Sequence, residues 1–96
     1  MNLLEKQFQF VRDIVLLISF MHALDYEVTF GDAARIDGKG HKKNSKHYQR
    51  LAIDLNLFKD GKYLIETKDH RPFGEYWTSI GHTWGGDWND GNHYEW

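Results

Sequence analysis

The chain contains no cysteine, a single proline and no excess of positive charge. Without cysteine, disulfides, thiolate zinc ligands and thiol nucleophiles are excluded together, so a metal would have to be held by His, Asp or Glu. A formal net charge of -2 gives no general nucleic-acid footprint. Half of the Lys and Arg residues nevertheless fall in "RIDGKGHKKNSKHYQR", which reads as a solvated loop or as a basic lip that attracts anionic substrate. Long hydrophobic runs are also missing. The apolar stretch "IVLLISFM" is too short to span a bilayer, and Glu5 and Asp13 precede it where a signal peptide carries positive charge. A soluble protein without membrane insertion or its own export signal is therefore expected.

What is abundant is aromatic. Phe73, Tyr76, Trp77, Trp84, Trp88, Tyr94 and Trp96 crowd the last quarter of the chain. Ninety-six residues suit one domain, expected over 1–96, which buries about 60% or somewhat more of its unfolded surface and has little reserve. Large rings compensate by burying much area per residue. A bound metal could add to this.

Hydrophobic spacing sets the expected elements. Leu4, Phe8, Val11, Val15 and Ile18 recur at helical spacing, widened by Ile14, Leu17, Met21 and Leu24, which predicts a long, largely buried helix over about 3–24 with His22 near its end. "YEVTF" is a short strand, and a polar, glycine-bearing loop follows from Gly31 to about Lys46. In "LAIDLNLFKDGKYLIE", Leu51, Ile53, Leu55 and Leu57 alternate with Ala52, Asp54 and Asn56, and Asp60-Gly61 turns the chain into a second strand. "DHRPFGEYWTSIG" predicts a short helix capped by Asp69, with Pro72 in its first turn and Gly81 as its stop. A glycine-rich loop and a terminal strand "HYEW" complete the chain. The order is that of an α+β domain: a central antiparallel sheet packed by a long N-terminal helix and a short second helix.

One set of polar residues has the composition of a metal site. Asp54 lies on the polar face of its strand, so its carboxylate is free to project into a cleft. His47 is an odd number of residues away and can join Asp54 only if residues 45–50 form a loop that bends back. Two His and one Asp are a three-ligand set of the kind catalytic zinc uses, with water in the fourth position. His93, beside a glycine-rich turn and on a short strand, is the natural third ligand, and Asp90 could reach that water without ligating the metal. Taken alone the two spacings are weak patterns, since six histidines in a short chain generate coincidences. The plain alternative is that His47 and Asp90 are ordinary loop residues.

"SKHYQRLAIDL" resembles the S-x-H-x-x-G-x-A-x-D signature of the zinc D-Ala-D-Ala carboxypeptidase and L-Ala-D-Glu endopeptidase family, which includes vancomycin-resistance dipeptidases and small phage endolysins. "WGGDWNDGNHYEW" is similar to the family's closing D/E-x-x-H segment, and "FGDAARI" to its upstream arginine segment. The resemblance implies zinc held by His47, Asp54 and His93, with Asp90 as general base and acid. It further implies that Arg35 binds and polarises the scissile carbonyl and that Ser45 lines the substrate cleft. An arginine suits either role, because its charge is fixed and its donors are several. Two departures stand out: Arg50 replaces the signature glycine, and the loop from Arg35 to Ser45 is short.

The expected activity is hydrolysis of an amide bond in the peptidoglycan stem peptide by a phage-type L-Ala-D-Glu endopeptidase, acting as a monomer. A D-Ala-D-Ala carboxypeptidase with the same site is the nearest alternative. Such a protein would stay in the bacterial cytoplasm until released to the cell wall, or travel with the virion. An inactive zinc-containing binding or virion module is the rival from another class. A metal-dependent nuclease fits the basic loop but not the slightly acidic chain. Glu95 is a second candidate for the base and Asp87 a third, each with a plainer reading as a solvated, salt-bridged or turn residue. His41, His70 and His82 read as surface residues, with His82 nearest the cleft. Trp84 and Trp88 are expected to combine core packing with a cleft wall.

Overall fold

The computed structural model describes residues 1–31 and 46–96. Arg35, Ser45 and His41 lie outside the described residues. Helix α1 spans Leu3–Ala23 and opens with a capping box, in which the Glu5 N–H donates to Asn2 Oδ1 at 2.8 Å while the Asn2 N–H donates to Glu5 Oε1 at 3.3 Å. Two of the unpaired donors at the helix start are satisfied in this way.

The expected burial of α1 needs correction. Its core face is Phe10, Ile14, Leu17 and Met21, whereas Leu4, Phe8, Val11 and Val15 are exposed. Both sets have the same 4-3-4 spacing, displaced by six residues, or about 120° around the helix. Packing against the second helix selects between them: Phe10 meets Trp77 edge-on at 5.9 Å and Phe20 meets Phe73 at 5.3 Å between ring centroids. Periodicity alone cannot identify the buried face of a helix that is apolar on two sides.

After α1 come β1 (Glu27–Phe30), β2 (Ala52–Lys59) and β3 (Lys62–Leu64), then a 3-10 turn over Thr67–His70, helix α2 (Arg71–Ser79), β4 (Thr83–Trp84) and β5 (His93–Glu95). The α+β class and the antiparallel sheet are as expected, and every strand pair among the described residues is antiparallel. Strand β2 is the spine. It pairs with β1 through Leu55–Phe58, with β3 through 57–59 and with β5 through 52–54, and β4 lies outside β5. At the β2–β3 turn Asp60 and Gly61 have φ of 53° and 77°, the paired positive values of a type I′ hairpin turn. Strand β4, within the stretch expected to be a glycine-rich loop, covers the far edge of β5.

Asp69 does not cap α2. It closes the preceding 3-10 turn by accepting from the Glu66 N–H, and His70 takes the N-cap position. Pro72 sits in the first turn as expected, and Gly81 follows the helix with φ of 97°. Helix α2 lies so close to β4 that a β-carbon at Gly74 would fall inside the Trp84 indole. Phe73, Trp77 and Tyr94 are fully buried between the helices and the sheet. Four aromatic residues of the last quarter, Phe73, Trp77, Trp84 and Tyr94, thus belong to the core that fixes β5, the strand carrying His93.

Candidate metal centre

Asp54 and His93 are register partners in the β2–β5 ladder, so their side chains leave the sheet side by side on one face. His47 arrives from a tight turn. The Arg50 N–H donates to His47 O at 3.1 Å and the Leu51 N–H donates to Lys46 O at 2.9 Å, folding 46–50 back over the start of β2. Arg50 has φ of 57°, in the left-handed region that favours glycine. That conformation gives a physical reason for a glycine at this position in the signature that "SKHYQRLAIDL" resembles, and here an arginine adopts it.

The three side chains converge on one point. His47 Nε2 lies 3.1 Å from His93 Nδ1 and 3.3 Å from Asp54 Oδ1, and His93 Nδ1 lies 3.2 Å from the same oxygen. Zinc bonds of about 2.0–2.1 Å in tetrahedral geometry put ligand atoms about 3.3–3.4 Å apart, so these edges match one face of a zinc tetrahedron. The donor set also has the right chemistry, with two imidazoles and one carboxylate, and it could hold a metal ion. His47 and His93 are buried, and Asp54 is mostly so. Asp90 stands apart. Its Oδ2 is 4.0 Å from His93 Nδ1 and its side chain is 49% exposed. It is held near the site by the turn before β5, where the His93 N–H donates to Asp90 O at 3.0 Å. A β-carbon at Gly85 would collide with that same carbonyl, which explains the glycine there.

The remaining residues sort differently from expectation. His70 is not a surface residue: it is buried with its Nδ1 2.8 Å from the Tyr94 hydroxyl, and burial lowers its pKa to about 4. His82 does not approach the cleft but contacts Asp13 of α1 at 2.7 Å, against the Trp77 ring. Trp84 is core, whereas Trp88 is exposed beside His93, with ring centroids 5.7 Å apart, so core packing falls to Trp84 alone of the two. Glu95 is the second-candidate base, yet its Oε1 meets His93 Nε2 at 2.8 Å, on the opposite side of the ring from Asp54 and His47. Next to Asp90 a polar groove of about 130 Å³ runs between Asn56, Tyr63, Thr67, His70, Asn89 and Asn92. It was not anticipated from the sequence, although Asn56 continues the face of β2 that carries Asp54.

A family model described as D-alanyl-D-alanine carboxypeptidase matches residues 39–96. The chain belongs to that family. The match includes Ser45, His47, Asp54, Asp90 and His93, while Arg35, α1 and β1 lie before it. Comparison with curated proteins and with solved structures gives no match. Membership makes the chain a peptidase by descent, and no described helix is long and apolar enough to cross a membrane.

The proton balance of His93 gives a pH prediction. Burial is the largest single influence and disfavours its charged form, but hydrogen bonds and charge from Asp54 and Glu95 together outweigh burial and raise its pKa above the ordinary 6.5. In metal-free protein this contributes stability that is fully present below about pH 6.5 and is lost as pH rises through the raised value. A histidine that ligates a metal must be neutral, so a metal ion held by His93 would have to displace that proton. Affinity for such a metal ion should therefore fall by about tenfold per pH unit below the raised pKa and level off above it. Chelator competition across this range measures the slope, and an affinity that does not change with pH would contradict the assignment of His93 as ligand.

Proposed function

We propose that this chain is a zinc-dependent peptidoglycan peptidase, specifically a phage-type L-alanyl-D-glutamate endopeptidase that cuts the stem peptide during lysis. The observation that supports zinc is the triangle of His47 Nε2, Asp54 Oδ1 and His93 Nδ1, with edges of 3.1–3.3 Å. Zinc, when bound there, supplies a Lewis acid that acidifies water and polarises a peptide carbonyl. His47 and His93 orient that charge, and Asp54 offsets part of it while leaving it electrophilic. Asp90 takes the proton from the attacking water and returns it to the leaving amine. Its exposed carboxylate, close to His93 but outside the triangle, suits that shuttle. Arg35 neutralises the oxyanion that develops on the scissile carbonyl, and Ser45 lines the cleft; both roles rest on the family resemblance. The groove beside Asp90 presents amide, hydroxyl and neutral imidazole groups to one side of the peptide.

The family description favours a second reading, a D-Ala-D-Ala carboxypeptidase using the same residues. Both reactions hydrolyse an amide, and specificity resides in the shape of the cleft. Digestion of purified muropeptides followed by chromatography and mass spectrometry separates them. Cleavage between L-Ala and D-Glu is the expected result. Release of terminal D-Ala with that bond intact would replace the endopeptidase reading by the carboxypeptidase one, and no cleavage by zinc-loaded protein would remove both.

A further inference from the structure

We propose that Glu95 is a positioning residue, which accepts a hydrogen bond from His93 Nε2–H and so keeps the lone pair of His93 Nδ1 directed at His47 and Asp54. The inference rests on the metal-site reading above and extends it beyond the three converging side chains. Strand geometry places Glu95 there. It lies two residues after His93 on β5, and alternate residues of a strand share a face. Its backbone is fixed on both sides, opposite Ala52 of β2 and Thr83 of β4, and its carbonyl accepts from Trp77 Nε1–H at 2.8 Å. The carboxylate therefore reaches His93 from a rigid support.

Its effect follows from the tautomer of a neutral imidazole. One proton is available, and two carboxylates within hydrogen-bond distance compete for it: Glu95 Oε1 at 2.8 Å from Nε2, and Asp54 Oδ1 at 3.2 Å from Nδ1. A proton on Nδ1 would block the nitrogen that faces the site. The shorter contact to Glu95 draws the proton to Nε2 and leaves Nδ1 free to donate its lone pair. With Glu95 removed, the carboxylates left at the ring, Asp54 at 3.2 Å and Asp90 at 4.0 Å, both face Nδ1, and the blocked tautomer gains. The same contact fixes the ring plane and raises the basicity of Nδ1.

Two readouts test this on Glu95→Ala and Glu95→Gln. The first is the imidazole nitrogen NMR spectrum of His93 in metal-free protein, at a pH where the ring is neutral. We expect the Nε2–H form in wild type and a shift toward the Nδ1–H form in Glu95→Ala, while Glu95→Gln, which keeps an acceptor oxygen, stays closer to wild type. The second is zinc affinity by chelator competition, expected to weaken by about 10–100-fold in Glu95→Ala and less in Glu95→Gln. A Glu95→Ala protein with the wild-type tautomer and wild-type affinity would overturn the proposal while leaving the metal site standing. If wild type itself refused zinc, the metal reading would fall and the nitrogen spectra alone would decide for or against Glu95. Glu95→Gln supplies the same decision if the alanine variant does not fold.

Discussion

Zinc binding is expected to be lost from a His93→Ala variant, together with all measurable peptidase activity. Zinc held by protein side chains is worth about 10–16 kcal/mol at neutral pH, so one ligand among three carries roughly 3–5 kcal/mol, and its removal weakens binding by about 10²–10⁴-fold. The geometry argues for the upper part of that range. Asp54 and His47 are both positioned against His93, at 3.2 and 3.1 Å, so the truncation removes a ligand and also the group that orders the other two. The fold should survive, because the aromatic core of Phe73, Trp77 and Tyr94 does not depend on His93. Metal content by mass spectrometry, measured beside wild type on protein prepared without chelator, gives the result directly. Near one zinc per wild-type chain and none in the variant supports a single site joining the end of the chain to the turn at 46–50. Equal zinc in both would exclude His93 as a ligand. No zinc in either would leave three close polar residues with a structural role, and the peptidase reading would lose its central support.

How much of this was legible in the sequence differs from one element to the next. The β2–β3 hairpin was fully readable, because strict alternation and an Asp-Gly turn are local signals and the turn residues adopt the positive φ values that those residue types favour. The extent of α1 was also readable, but its core face was not, since two phases of equal spacing compete and only tertiary contact with α2 chooses between them. The α1 capping box was missed although "NLLE" contains it: Asn2 and Glu5 stand three apart just before the apolar run. His70 was misjudged for a different reason. A histidine beside Asp69 and Arg71 looks solvated, and its burial depends on the Tyr94 hydroxyl, which lies 24 residues later in the chain.

The site itself depended on one conditional step. His47 and Asp54 have the wrong parity for a continuous strand, so their meeting required the chain to turn back before β2, and the turn at 46–50 with Arg50 in the left-handed region is what permits it. The face that Asp54 occupies was predictable from alternation. Its pairing with His93 was not, because register between β2 and β5 is fixed by nonlocal packing: Tyr94 is directed into the core, which leaves its neighbours His93 and Glu95 on the opposite face. The same alternation accounts for both readings of Glu95, of which the salt-bridged one holds, through His93 Nε2 at 2.8 Å. Sharing a face with His93 made it a plausible base, yet the two-residue step along a rigid strand carries it past the ring to the far nitrogen.

If Asp90 carries the proton as proposed, replacing it separates an enzyme from a binding module with the same site. Asp90→Ala should leave zinc content unchanged, because the carboxylate is 4.0 Å from His93 Nδ1 and contributes no edge to the triangle. It should lower the rate of stem-peptide hydrolysis by about 10²–10⁴-fold, the usual worth of a positioned general base, with a much smaller effect on substrate affinity. Asp90→Asn preserves the shape of the side chain but not its capacity to take a proton, and should be as inactive as the alanine variant. Glu95 cannot substitute for it, since its carboxylate is engaged with His93 Nε2 on the side of the ring away from the site. A chain that retains the metal but works only as a binding or virion module would be indifferent to both changes. Muropeptide turnover and zinc content, measured on the same preparations, distinguish the cases: a full complement of zinc with turnover lost identifies Asp90 as the proton carrier. Turnover within a few-fold of wild type would transfer that role elsewhere, with exposed Asp87, on the 3-10 turn Gly85–Trp88 that precedes Asp90, the next carboxylate to test.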